Sequence, residues 1–291
     1  MQFNCASIGR PRLLTGRDDR LIARKIREST TDNAKALVRD IADLNVSAQT
    51  VRRSLKRQGF LATPKKKKPF LSKRHKKLRL EFAEAYQYWT ISDWRKVIFS
   101  DESKVNRFWS DGRKWSWSRP DDALNDRNVT GTVKYGGGSV MVWGCITALG
   151  PGYLTKIEGS LDAKLYCNIL QDEFLRSCQY YNLETNDIIF QQDNDPKHTI
   201  KLASKWLQDN EITTLSWPLQ SPDMNPIEHT WALLKYRLNQ YQNLPSGMVE
   251  LWERIATTWN EISKQECLNI IDSMPDRIRA LIKAKGGYTK Y

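Results

Sequence analysis

The sequence predicts an α/β body behind a small all-α head, on three grounds. Basic residues crowd the first 80 positions, whereas the tryptophans begin only at Trp89, so composition separates a basic head from an aromatic-rich body. Apolar residues in the head fall at helical spacing. The body alternates short β-prone runs with longer amphipathic stretches, the pattern of a sheet covered by helices.

Residues 1–14 read as a basic arm around Gly9-Arg10-Pro11-Arg12, whose Arg10 and Arg12 suit a DNA minor groove. Residues 15–60 hold three helical segments. Leu21, Ile22 and Ile26 mark the first; Ala34, Leu37, Ile41 and Leu44 mark the second. The third runs from a Ser47 cap to Gln58, with Gly59 as its stop and Val51 and Leu55 as an i, i+4 seam. Arg52, Arg53, Lys56 and Arg57 take its remaining faces. Two helices, a short turn at Asn45-Val46 and a basic third helix are the parts of a helix-turn-helix, with Gln49 and Arg53 placed to read base edges. The same pattern also fits a solvated bundle whose charges face water. Residues 61–90 read as a basic linker and linker helix. Lys65, Lys66, Lys67, Lys68, Lys73, Arg74, Lys76 and Lys77 suit phosphate contact or nuclear import, or simply a solvated spacer.

In the body, residues 91–291, strands are expected at 97–99 and 188–190, with further candidates at 113–117 and 139–146; helices are expected over 161–181 and 197–209. Residues 119–138 are polar, aperiodic and end in Gly136-Gly137-Gly138, a long excursion from the core. From Pro226 the chain reads as helical. Ile227, Trp231, Leu234 and Leu238 form an apolar stripe, and helices follow at 248–262 and 265–282.

Composition narrows the function. The chain has 291 residues, and its 46 Lys and Arg against 33 Asp and Glu leave a formal charge of +13, which points to a polyanionic partner. No apolar run approaches the roughly 18 residues of a membrane helix, because Gly144 and Thr147 interrupt the longest candidate; a soluble intracellular protein is expected. Cys5, Cys145, Cys167, Cys178 and Cys267 are odd in number and contain no C-x-x-C pair. That speaks against a disulfide framework or a zinc finger and for reduced packing residues.

Three carboxylates carry candidate chemistry. VIFSDES puts Asp101 just beyond an apolar strand, and IIFQQDNDPKH puts Asp193 just beyond another. Glu228 follows SPDMNPI, where Asn225 suits a helix cap and Pro226 the first turn. An acid at the end of a buried strand needs compensation, and Mg²⁺ provides it through hard oxygen ligands. Three convergent acids can hold two metal ions roughly 3.5–4 Å apart. Taken singly, each acid also fits a turn residue or a helix-dipole partner.

At these residues the chain resembles the mariner superfamily of cut-and-paste transposases, in particular its nematode-type branch. FSDESKVN, KYGGGSVMVWGCI, FQQDNDPKHT and SPDMNPIEHTWALLK match that family, as do the 34 residues between Asp193 and Glu228. The resemblance implies a ribonuclease H-like catalytic domain in which Asp101, Asp193 and Glu228 are catalytic and metal-binding, with Mg²⁺ or Mn²⁺, two ions per site. It implies double-stranded DNA as partner (terminal inverted repeats and a TA target), a homodimer on that DNA, no membrane, and a nuclear location. It makes 119–138 a clamp loop, with Arg119, Arg127 and Lys134 as its basic residues, and places Asn194 and His198 near substrate. His198 fits a plain first-turn helix residue at least as well. One departure is expected: family members usually carry two helix-turn-helix subdomains joined by a GRPR-like linker, and here Gly9–Arg12 falls so early that the first subdomain is read as absent. Hence the alternative of a domesticated or truncated descendant that binds DNA without transposing.

Overall fold

Local capping and one half-buried carboxylate build the first of two units, residues 1–67, in the computed structural model, which describes residues 12–28, 46–62, 68–108, 137–199 and 201–291. Helix α1 (Gly16–Glu28) starts where Thr15 and Asp18 exchange hydrogen bonds, the Thr15 amide reaching the Asp18 carboxylate at 2.8 Å. Helix α2 (Ala48–Arg57) starts at Ser47, whose hydroxyl accepts from the Thr50 amide, and is followed by Gly59 at φ +80°, as expected from sequence. Leu14, Ile22 and Val51 are buried between the two helices. Asp19 fastens them: it accepts from Ser54 Oγ at 2.5 Å and from Arg57 at 3.1 Å, while its backbone carbonyl accepts from Gln58 at 2.8 Å. The expected second helix near 34–44, the arm with Arg10 and the candidate strand at 113–117 lie outside the described residues, as does the excursion up to residue 136, with Arg119, Arg127 and Lys134.

The second unit, residues 68–291, is a sheet between two helical layers. Helix α3 (Lys73–Ala85) and the short α4 (Ile91–Trp94) lead into β1 (Val97–Asn106), followed by β2 (Ser139–Thr147) and β3 (Gly150–Ile157). A long helix comes next: α5 (Ala163–Ile169) passes through a π segment (Leu170–Phe174) into α6 (Leu175–Tyr180). Strand β4 (Ile189–Gln191), α7 (Pro196–Thr199) and α8 (Lys201–Asp209) follow, then α9 (Ile227–Leu238), α10 (Met248–Asn260), α11 (Lys264–Ile271) and α12 (Met274–Lys283). The sheet order is β3-β2-β1-β4, antiparallel except for the parallel pair β1–β4.

Alternation along β1 assigns the faces. Val97, Phe99 and Val105 join the core made with α3 and α9–α12, whereas Ile98 joins the core made with α5, α6 and α8. Trp231 and Trp259 stack at 4.9 Å in the first core. They lie against Gly144, where an added Cβ would come within 3.0 Å of Trp231 and 3.1 Å of Trp259.

Four expectations need correction. β1 does not stop at Phe99: β2 pairs with it from Phe99 to Asn106, so Asp101 lies inside the strand. β3 was not anticipated, because its two glycines and proline disguise it. Asn225 does not cap α9; its Nδ2 donates to the Ser100 carbonyl at 3.4 Å, and Pro226 occupies the cap position. The helix expected at 265–282 is two, since Pro275 lacks the amide hydrogen a continuous helix needs and a new helix starts after Ser273.

Candidate active site

Asp101 shares the odd-numbered row of β1 with Val97, Phe99 and Val105, so it faces the helical layer that contains α9. Glu228 stands in the first turn of α9. The parallel register Phe99↔Gln191 brings the end of β4 beside the middle of β1, and Asp193 follows two residues later. The three carboxylates thus line one cleft of about 390 Å³, together with Asn194, Trp217 and Asn225. Asn194 donates to the Trp217 carbonyl at 2.6 Å.

Glu102 lies on the other face of β1 and was missed in the sequence, where it reads as one more polar residue after the strand. Its carboxylate meets His198 Nε2 at 3.1 Å, and His198 Nδ1 meets Asp193 at 2.6 Å. The imidazole is buried, with Tyr166 of α5 stacked on it at 4.1 Å. His198 does sit in the short α7, but it also bridges an acid of β1 to the acid after β4. No periodicity in the sequence signals that bridge.

These surroundings spread the titration of the acids. Burial, with the charges of Glu228, Glu102 and Asp193 nearby, pushes the Asp101 carboxyl well above the ordinary range. Partial desolvation also raises Glu228, opposed by the Lys235 ammonium. Burial works against the ionised form of Asp193 too, but hydrogen bonds from His198 and the Asp195 amide outweigh it and hold this carboxyl below its usual value. Burial would lower His198, yet its two carboxylate partners raise it to about 9.

The segment before Glu228 is pinned from behind. Arg79 of α3 is fully buried and forks onto Asp223 at 2.7 and 2.8 Å. Its nitrogens also donate to Ser221 Oγ and to the carbonyls of Gln220, Gly286 and Gly287. Arg277 of α12 donates to the Asp223 carbonyl at 2.8 Å and meets His229 at 2.9 Å. Pro222, Asp223 and Met224 form a single 3₁₀ turn, so the start of α9 is fixed by two buried guanidinium groups.

Among the candidate nucleic-acid contacts, Arg12, Gln49, Arg52, Arg53, Lys56 and Arg57 are all exposed. Arg57 is paired with Asp19, and Arg52 donates to Gln49 at 3.4 Å. Arg10 lies outside the described residues.

Comparison with known proteins decides the family. A helix-turn-helix profile described as transposase matches residues 19–88, and one described as DDE superfamily endonuclease matches residues 96–247. The transposable element Tc1 transposase of Caenorhabditis elegans is 39% identical over 276 residues, covering 94% of this chain and 100% of that one. The chain belongs to the Tc1/mariner family of transposases. The Tc3 transposase of the same organism is 30% identical over 286 residues, 97% of this chain and 83% of that one. Two solved structures share the fold at 19% identity. The Mos1 transposase paired-end complex with left transposon end has a TM-score of 0.78, covering 96% of this chain and 81% of that one. The mariner Mos1 paired-end complex with Mg has 0.79, covering 99% and 85%. The ribonuclease H-like fold behind a helix-turn-helix domain is therefore established for this transposase. The helix-turn-helix domain expected over residues 15–60 is present, within the match to residues 19–88, whereas the expected absence of a further, first subdomain is not borne out.

The cleft suits the divalent cation that DDE chemistry implies. Asp101, Asp193 and Glu228 offer hard oxygens, the choice of Mg²⁺ and Mn²⁺. Asp101 is desolvated against other acids, and among the described residues Asn225 leaves a buried, unpartnered Oδ1 at the same cleft. Among the described residues, no three His, Cys, Asp or Glu side chains form a closed metal cluster; the acids stand apart around the cleft.

Proposed function

We propose that this transposase excises and inserts DNA by cut-and-paste. It binds the terminal inverted repeats of its element as a homodimer, hydrolyses the strands at the ends and joins the freed 3′-hydroxyls to a TA target. The observation that carries this reading is the convergence of Asp101, Asp193 and Glu228, from a strand, a loop and a helix, on one cleft of a ribonuclease H-like sheet. The solved Mos1 complexes with a transposon end and with Mg support the DNA and the cation.

In this reading Asp101, Asp193 and Glu228 hold two Mg²⁺ or Mn²⁺ ions. Such ions, when bound, activate water or a 3′-hydroxyl and stabilise the leaving oxygen. The protein's part is positional. His198 ties Asp193 to Glu102 across the end of the sheet. Arg79 and Arg277 hold the turn from which Glu228 projects, and Trp217 and Pro218 wall the cleft. Asn194, fixed on the Trp217 carbonyl, stands beside Asp193 to orient the substrate. The helix-turn-helix presents Arg52, Arg53 and Lys56 to the duplex, with Gln49 at the start of the same helix. The basic run 65–77 serves nuclear import, which a fluorescent-protein fusion of residues 61–90 tests directly.

The deciding experiment is a cleavage and strand-transfer assay on DNA carrying the neighbouring inverted repeats, with Mg²⁺ or Mn²⁺ and a Glu228→Gln control. Metal-dependent cleavage lost in the control, with end binding retained, is the expected result. End binding without cleavage in the unmutated protein would overturn the catalytic reading and leave a DNA-binding descendant of a transposase.

A further inference from the structure

A second, narrower cavity of about 50 Å³ lies at the far end of β1 and α9 from the three acids. By the measure that one water needs about 10–15 Å³, it has room for roughly four waters, the bulk of one phosphate group. Lys104, Arg107, Lys235 and Arg254 line it with Asn106 and Tyr241, and no carboxylate is among the described residues that do. The two arginines are occupied in shaping its wall. Arg107 donates to the Pro245 and Ser246 carbonyls. Arg254 donates to the Asn243 carbonyl and Glu250 and lies over the Tyr241 ring. The lysines are different: among the described residues neither has an ion-pair or hydrogen-bond partner, and Lys104 is exposed. Glu250 balances Arg254, which leaves three cations around a pocket that small, and an anion between them would relieve their repulsion.

Two elements lead from the acids to this cavity. Lys104 is three residues beyond Asp101 on β1, about 10 Å at the usual strand rise and in the opposite row of side chains. Lys235 is seven residues beyond Glu228 on α9, about 10.5 Å at the helical rise, and so on nearly the same side of the helix. Both paths give one spacing of about 10 Å, which spans about one to two backbone phosphates, because the 3.4 Å step is a rise along the duplex axis and the winding path from phosphate to phosphate is longer.

We infer that this cavity is a phosphodiester subsite, in which Lys104 and Lys235 bind a backbone phosphate of the DNA strand one or two nucleotides from the bond held at Asp101, Asp193 and Glu228. The inference rests on the proposed function for the identity of the anion as DNA. Lysine suits the role, since a compact ammonium on a flexible stem follows a backbone without reading its sequence.

The test is binding of the full-length protein to a duplex bearing its terminal repeat, in Ca²⁺, with a single uncharged methylphosphonate moved one position at a time towards the cut end. The unmutated protein should lose affinity several-fold at one or two adjacent phosphates near the cut. Lys104→Gln/Lys235→Gln should be insensitive at those positions, and its log-affinity against log-salt slope should be shallower by about 1 per lysine. Lys156→Gln, on β3 and paired with Glu158, should keep the interference and so exclude a general effect of lost charge. Neither lysine is buried, and an unchanged urea midpoint shows that the double variant is folded. An unchanged interference map in the double variant, or no sensitive phosphate near the cut in the unmutated protein, overturns the subsite. Because the readout is binding, an enzyme that gives the expected map but fails to cut in Mg²⁺ would sink the catalytic reading while leaving the subsite standing.

Discussion

Arg79→Met is the most informative perturbation of the frame behind Glu228. The guanidinium is 1% exposed and Asp223 is 7% exposed, so the substitution strands a buried carboxylate and frees the acceptors at Gln220, Gly286 and Gly287. Breaking a buried pair from one side costs about 3–5 kcal/mol. In a unit of this size each kcal/mol lowers the melting temperature by about 2–4 °C, so calorimetry on the full chain should show the catalytic unit melting about 6–20 °C lower. Arg79→Lys keeps the charge but loses the fork, and should fall between the two. Asp223→Asn adds a dependence on pH. Burial disfavours the ionised form of Asp223, but Arg79 and Thr289 outweigh it and hold the carboxyl below its ordinary value. On acidification the unfolded chain therefore takes up the proton first. The stabilisation is whole above the unfolded pKa of about 4 and is lost as pH falls through the lower folded value. The stability gap between unmutated protein and Asp223→Asn should be flat from pH 7 to about 5 and shrink below that. A loss under about 1 kcal/mol in Arg79→Met, or a gap that widens in acid, would refute the reasoning.

Three further outcomes are expected. His198→Ala should weaken Mn²⁺ binding roughly tenfold or more, as loss of groups that orient ligands generally does, read from the free-ion paramagnetic resonance signal; equal affinity would leave His198 a packing residue only. Asp19→Ala removes the acceptor shared by Ser54 and Arg57 and should cost the head about 1–2 kcal/mol, seen as faster amide exchange in α1 and α2 with the catalytic unit unaffected. Trp231→Ala, emptying a fully buried site against Trp259, should cost about 3–5 kcal/mol in urea titrations.

Elements with a strong local signal were legible in the sequence. Ser47 and Gly59 bounded α2, and the stripe Ile227, Trp231, Leu234 marked α9. The acidic triad was legible for a different reason: its motifs and spacing match a known family, whereas each acid alone fits a turn. What escaped depends on partners distant in sequence. β1 runs on through Asp101 and Glu102 because β2, some 40 residues later, supplies its hydrogen bonds; a reading that ends strands where apolar residues end must cut it short. Asn225 has the right residue type and position for a cap and is diverted to the Ser100 carbonyl. Arg79 reads as one more cation in a basic linker, and only folding shows that it is fully buried while its neighbours Lys76 and Lys77 face water.

The site depends on a property of strands more than on any single contact. Neighbouring residues of a strand face opposite layers, so Asp101 and Glu102 serve two sides at once: one looks into the cleft with Glu228, the other reaches His198 beneath Tyr166. His198 then returns to the cleft side through Asp193, closing a chain of groups around the edge of β1. A slip of one residue in β1 would send each carboxylate to the other's layer and break both arrangements together. Three constraints oppose that slip. Val97 and Phe99 on one face and Ile98 on the other fill separate cores; β4 and β2 pair with the strand on its two edges; and Gly144, directly opposite Asp101, leaves the space that the Trp231 and Trp259 rings occupy. Hydrophobic register thus sets where the charge goes, and the apolar residues of β1 are as much a part of the active site as the acids between them.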